Sequence, residues 1–183
     1  MVYRINNLND VDYLRILQDY RQNFAGKVAV ITTNYKKLCS FKVSFSEQNL
    51  PHLMGWQKVI SKGSSATNII RLIDNNKFTL ANTRKNSEFF RIKDRLLNYN
   101  FLHDIFYGKL TNVYIMTSDM KPNKLKLDIV FYHPKDKQRI IVLGLRKRKN
   151  TPYFVPTTLH VEKIKNNPYL SRRKTSIKSF KWI

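Results

Sequence analysis

The chain of 183 residues carries 34 Lys and Arg against 12 Asp and Glu, a formal charge of +22. That excess excludes a nucleic-acid-mimicking inhibitor, which must be acidic, and asks for an acidic partner to offset self-repulsion: nucleic acid first, then an anionic membrane surface or an acidic protein. The apolar fraction of 42% supports a core, but no run reaches the ~20 apolar residues of a membrane span, and the one cysteine, Cys39, excludes an internal disulfide and thiol-ligated zinc.

The start MVYRINNLNDVDYL has no apolar signal core, so a reducing, cytoplasmic setting is expected, with Cys39 a small buried strand residue. Asn9 or Asp10 is placed to cap a helix reaching about Phe24, with Tyr13, Ile16, Leu17 and Tyr20 on one face. Lys27–Thr33 and Leu38–Phe45 read as a β-hairpin, the second strand turning Cys39, Phe41, Val43 and Phe45 to one side. A short helix follows, with Pro51 in its first turn, His52 after it and Gly55 as its exit. SKGSS, 61–65, is a loop, and Ala66–Asp74 a helix with Ile69, Ile70 and Ile73 facing in.

A long helix is predicted from Asn86 to Tyr107, with Phe89, Ile92, Leu96, Tyr99, Leu102 and Phe106 on one face and Arg91 and Arg95 among the cations of its start and outer face. Strands are predicted at Val113–Ser118, Lys124–Tyr132, Arg139–Leu145 and Tyr153–Val161. Short turns at Met120–Asn123 and Pro134–Lys137 imply an antiparallel meander. The expected class is α+β, with N-terminal helices and a β-hairpin packed with a C-terminal four-stranded antiparallel sheet. Residues 1–165 form the expected domain. Residues 166–183, with Arg172, Arg173, Lys174, Lys178 and Lys181 and no acid, read as a basic tail, either disordered or ordered on binding.

The cationic run Arg146, Lys147, Arg148, Lys149 between two strands is either a solvated turn or a polyanion site. Of four histidines, His52 sits in a Pro-His-Leu-Met-Gly turn and is either a packing residue or a catalytic one. His160 shares a strand face with Thr158; His103 reads as structural and His133 as solvated. The carboxylates Asp119, Asp128, Asp136 and Glu162 are dispersed, without the grouping a metal-dependent nuclease needs, so neither metal nor cofactor is expected. Metal-free cleavage of RNA stays open: a neutral histidine can deprotonate the 2′-hydroxyl while Lys or Arg offsets charge on the phosphorane.

Two motifs resemble the phage-type branch of the barnase–EndoU–colicin–RelE nuclease superfamily of mobile genetic elements. One is a hydrophobic strand with a His-Leu-x-Gly turn, FKVSFSEQNLPHLMGW (41–56); the other is a terminal strand pair with a Pro-Thr element, IIVLGLRKRKNTPYFVPTTLHVE (140–162). The resemblance covers about residues 10–165. It implies N-terminal helices on a four-stranded antiparallel sheet and metal-independent RNA cleavage, and it falls on His52, Tyr153, Thr157 and Thr158. Lys147 and Arg148 are added on charge alone, and His160 has no support from the family pattern. The leading expectation is an endoribonuclease of a phage or plasmid cutting tRNA, mRNA or a CRISPR guide RNA, with Arg146–Lys149, Arg172 and Arg173 on the RNA. The alternative is a non-catalytic binder that blocks an RNA–protein complex such as a CRISPR effector, with Tyr153, Phe154 and Trp182 stacking on bases. A ribosome-associated RNA-binding protein comes third.

Overall fold

The structure, a computed structural model, describes residues 3–60, 63–108, 112–115 and 123–183. Asp12, not Asn9 or Asp10, starts helix α1 (Tyr13–Asn23): its carboxylate accepts the N–H groups of Leu14 and Arg15 at 2.9 and 3.2 Å. Asn7 and Asp10 instead form a capping box on a 3-10 turn, Leu8–Asp10. β1 (Val28–Thr33) and β2 (Ser40–Ser44) pair as an antiparallel hairpin with Ile31 opposite Phe41. Cys39 is exposed, not buried, because the 3-10 turn Lys36–Leu38 ends just before it and the inward alternation begins only at Phe41.

Helix α2 (Asn49–Met54) ends on Gly55, which adopts the left-handed region at φ 72°. Helix α3 (Ala66–Asp74) begins where the Ser65 hydroxyl accepts the Asn68 N–H at 3.1 Å, and it buries Ile69, Ile70 and Ile73; the short α4 (Leu80–Thr83) follows. The long helix expected over 86–107 is broken into a 3-10 turn Ser87–Phe89, α5 (Phe90–Leu97) and α6 (Phe101–Phe106). Two asparagines mark the break. Asn98 donates its amide back to the Asp94 carbonyl at 2.6 Å, and Asn100 turns to the N-terminal segment, accepting from the Ile5 N–H at 2.8 Å and donating to the Tyr3 carbonyl at 2.7 Å.

β3 (Asn112–Ile115), β4 (Ile129–Pro134), β5 (Arg139–Lys147) and β6 (Tyr153–Lys163) are antiparallel neighbours in that order. They do not form a separate four-stranded sheet. β7 (Arg173–Trp182) pairs with β3 on one side and β1 on the other, and β2 joins β6 in parallel through Lys42–Tyr153 and Val43–Phe154. The result is a closed seven-stranded mixed barrel, β1-β2-β6-β5-β4-β3-β7. A four-stranded sheet would leave β3 and β6 with unpaired N–H and C=O groups; the hairpin and β7 satisfy them.

The basic segment after residue 165 is therefore not a tail over its length. Thr175 is buried and Ile177, Phe180 and Trp182 pack against the core, while Arg173, Lys174, Lys178 and Lys181 stay exposed. Its charge marks a solvent face, not disorder. The strand end and turn expected over 116–122 lie outside the described residues, as do Ser61 and Lys62. Among the described residues, no helix is long and apolar enough to cross a membrane.

Phe106 of α6 packs edge-on to Phe45 and Phe131, with ring centroids at 4.9 and 5.8 Å, and so joins the helices to the strands in one core. A smaller cluster covers the opposite face of β3, β4 and β5, with Leu127 and Tyr169 over Tyr114, Val130 and Val142. The β5–β6 register shifts between Gly144 and Leu145, which pair with Thr158 and Pro156, so Thr157 is the extra residue of a bulge. Phe154 and Leu159 both reach the main core although they stand five positions apart, an odd offset. The bulge thus resets the alternation, and Thr158, His160 and Glu162 come out toward α5.

Candidate active site

Thr158, His160 and Glu162 recur at two-residue intervals, so one face of β6 carries all three. The Thr158 hydroxyl lies 3.1 Å from His160 Nδ1, and His160 Nε2 lies 2.7 Å from Glu162 Oε1. Asn167 donates its amide to the other Glu162 oxygen at 2.7 Å. Burial pushes the Glu162 carboxyl up, but the His160 hydrogen bond and charge, with Asn167, outweigh it and hold the group below the ordinary glutamate value. An ionised carboxylate only accepts, so Nε2 carries a proton and donates to it; in the neutral imidazole Nδ1 is then the lone-pair nitrogen facing Thr158.

These three side chains line a cleft of about 460 Å³ whose other wall is α5, with Phe90, Arg91, Asp94 and Arg95, and whose rim includes Lys58 and Leu125. Arg95 is the tie between the walls. Its Nη1 donates to the carbonyls of His52 and Leu53 at 3.2 and 3.1 Å and to the Thr158 hydroxyl at 3.5 Å. Gly55 makes room for it: a Cβ there would stand 2.9 Å from Arg95 Cδ. Partial burial, then the charges of Arg95 and Arg91, hold the Lys58 ammonium below the ordinary lysine value. The cleft therefore gathers cations that repel one another and that an anion would relieve. Arg91 is also paired with Glu88 at 2.8 Å, and Asp94 with Lys135 at 3.4 Å.

Of the residues expected from the sequence, Thr158 and His160 line this cleft and the others lie apart from it. His52 is exposed on α2, its Nδ1 hydrogen-bonded to Gln57, and partial desolvation holds its imidazole below the ordinary value. Only its backbone carbonyl takes part in the Arg95 junction. Thr157, in the bulge, donates to the Val155 carbonyl at 3.2 Å. Tyr153 is half-buried at the start of β6, beside Lys42 of β2. Arg146, Lys147, Arg148 and Lys149 are exposed at the β5–β6 turn, and Arg146 reaches the Leu125 carbonyl. Arg172 and Arg173 lie across the barrel on β7 and its approach, Arg173 over the Tyr35 ring at 4.8 Å.

His103 is buried. Its Nε2 and the Tyr99 hydroxyl both lie 2.6 Å from Asp19 Oδ2, and the Tyr3 N–H reaches Oδ1 at 3.0 Å. Burial pushes the Asp19 carboxyl up, but the hydrogen bonds from His103, Tyr99 and Tyr3 outweigh it and hold the group below its ordinary value. This cluster joins α1 to α6 away from the cleft. Among the described residues, no three His, Cys, Asp or Glu side chains are grouped so as to hold a metal ion.

A family model described as phage-Barnase-EndoU-ColicinE5/D-RelE like nuclease4, PBECR4, matches residues 14–181. The chain belongs to this family. No curated protein and no solved structure matches it. The PBECR4 match makes the function that of a nuclease, and it runs from α1 through β7, so it takes in the last strand as well as the cleft. In this PBECR4 chain the side chains that sequence spacing passed over are Glu162, read as one of the scattered acids, Arg95, read as outer-face decoration, and Asn167. The signal for Glu162 lies in the pattern Thr158-x-His160-x-Glu162, whose period of two is that of a strand face.

Proposed function

We propose that this nuclease cleaves RNA without a metal ion, in the cleft between α5 and β6, by attack of a 2′-hydroxyl on its own 3′-phosphate. The observation that carries the reading is the hydrogen-bonded series Thr158–His160–Glu162–Asn167 facing Arg95, Arg91 and Lys58. His160 Nδ1 removes the 2′-proton when the hydroxyl of the substrate replaces that of Thr158, and Glu162 steadies the imidazolium that forms. The 2′-oxygen bonds to phosphorus, and the cations of the α5 wall offset the extra charge of the phosphorane. The bond to the 5′-oxygen then breaks, that oxygen takes the proton back from His160, and a 2′,3′-cyclic phosphate remains. RNA is accordingly the proposed partner and the cytoplasm the proposed site of action.

The test is incubation of the purified protein with total bacterial RNA in excess EDTA, beside His160→Ala and His52→Ala, with mapping of the new ends. Cuts ending in 2′,3′-cyclic phosphate that vanish in His160→Ala support the reading. Loss in His52→Ala alone moves the base to His52. Intact RNA with tight, salt-sensitive binding replaces cleavage by stoichiometric capture.

A further inference from the structure

Among the described residues, Phe90, Tyr107, Leu125 and Ile183 are the large apolar side chains that stand exposed, and two of them, Phe90 and Leu125, line the α5–β6 cleft. Phe90 is 69% exposed. The sequence puts two phenylalanines in succession at the start of α5. Phe89 packs against the core and Ile92 and Leu96 are buried, so the helical turn sends Phe90 to the opposite side. Nothing in the folding of α5 requires a phenyl ring there.

Leu125 faces the cleft from a fixed loop. Asn123 clasps that loop through two hydrogen bonds with Leu127, at 2.8 and 2.9 Å, and Leu127 rests on Gly144, where a Cβ would come within 2.5 Å of its methyl carbon. The rim is thus apolar and held in place, and the cleft behind it is cationic. Arg91 lies next to the phenyl ring, its guanidinium carbon 5.7 Å from the centroid, and so sets a phosphate-binding group beside a stacking surface. An apolar peptide would leave the cations unmet, and a bare phosphate would leave the ring in water. A nucleotide, with a flat base and an anionic phosphate on one sugar, meets both.

We infer that Phe90 and Leu125 form a nucleobase subsite that takes an unstacked base next to the phosphate held by Arg91. The inference rests on the RNA-cleaving reading of the same cleft and extends it to the substrate class: single-stranded or unpaired RNA, with little preference for base identity, because every base has a stacking face. A base inside a duplex cannot reach the ring.

The experiment uses the full chain and short single-stranded oligonucleotides that are 2′-O-methylated throughout, and so cannot be cut by 2′-attack, with 2-aminopurine at each position in turn. Binding is expected to quench the fluorescence at one position. Phe90→Ala should remove that quench and weaken binding by between about fivefold and a hundredfold, and Phe90→Trp should restore both. A quench and affinity unchanged in Phe90→Ala, or equal for the same strand in a duplex, overturn the subsite. Should wild type fail to cut RNA in EDTA while the quench still depends on Phe90, cleavage is wrong and the subsite stands. Should it cut RNA with unchanged kcat/KM in Phe90→Ala, the subsite is wrong and cleavage stands.

Discussion

Glu162→Gln is the sharpest perturbation of the cleft, because it keeps the size of the side chain and changes only its donors and acceptors. In the native protein two N–H donors converge on the carboxylate, His160 Nε2 at 2.7 Å on one oxygen and the Asn167 amide at 2.7 Å on the other. Glutamine offers one acceptor oxygen in their place. Asn167 cannot turn its own oxygen inward without loss, since its amide also donates to the Lys163 carbonyl at 3.1 Å and its oxygen accepts the Tyr169 N–H at 2.9 Å. If the new oxygen stays with Asn167, the new NH2 faces His160 Nε2, drives the proton to Nδ1 and removes the base. If it stays with His160, two amide donors oppose each other, at a cost of about 1–3 kcal/mol. A positioned general base contributes roughly 10²–10⁴-fold, so single-turnover cleavage of a labelled single-stranded RNA should slow by about that factor, or ~3–5 kcal/mol of barrier. KM should hold within a few-fold, because Lys58, Arg91 and Arg95 are untouched. A variant with native far-ultraviolet circular dichroism that cuts at the wild-type rate would falsify the placement of His160 as the base.

Asp19 and Glu162 are both held below their ordinary values, so the stability they contribute is present above the unfolded carboxyl pKa of about 4 and is lost as pH falls through the folded values. Urea midpoints should drop steeply below about pH 4, and Asp19→Asn should lower the neutral-pH stability by about 1–3 kcal/mol while flattening that drop; an unchanged acid limb in the variant counts against the buried cluster as its source. Gly144→Ala puts a methyl group 2.5 Å from Leu127 and 3.0 Å from Thr158 Cγ2, and should cost about 1–3 kcal/mol in thermal unfolding; a wild-type melting temperature would show that the loop is not seated there. Gly55→Ala combines the left-handed φ of 72° with a contact on Arg95, so both stability and cleavage should fall, the first by about 1–2 kcal/mol; loss of stability with full activity would free Arg95 from any part in the cut.

Local rules read well from the sequence. α3 runs from Ala66 to Asp74 as its three isoleucines indicate, and Phe41 and Val43 face the core as strand alternation requires. The pairing of β4 with β5 and of β5 with β6 follows from the short connections 135–138 and 148–152. The break at Asn98–Asn100 stayed hidden because Ile92, Leu96, Tyr99, Leu102 and Phe106 keep a helical spacing across it and are all buried; only the side-chain bonds of the two asparagines show why the axis stops. β7 was illegible for a different reason. Its partners lie far away in the chain, and no window of sequence records a pairing between Thr32 and Ser179, 147 residues apart. Within the site, Thr158 and His160 could be put on one face from spacing. Arg95 could not be found, since what matters about it is the space left by Gly55 and the carbonyls exposed at the end of α2.

That distance between β1 and β7 also orders events in time. β7 is the last of the seven strands to be synthesised, and until it arrives β1 and β3 each present an open edge, competent to pair with another chain. Closure is therefore the least local step of folding and the slowest to nucleate. The exposed cations Arg173, Lys174, Lys178 and Lys181 bear on that stage, since like charge along the closing strand discourages two unfinished barrels from exchanging it. The same surface is, while the barrel is still open, a safeguard against assembly with its own kind.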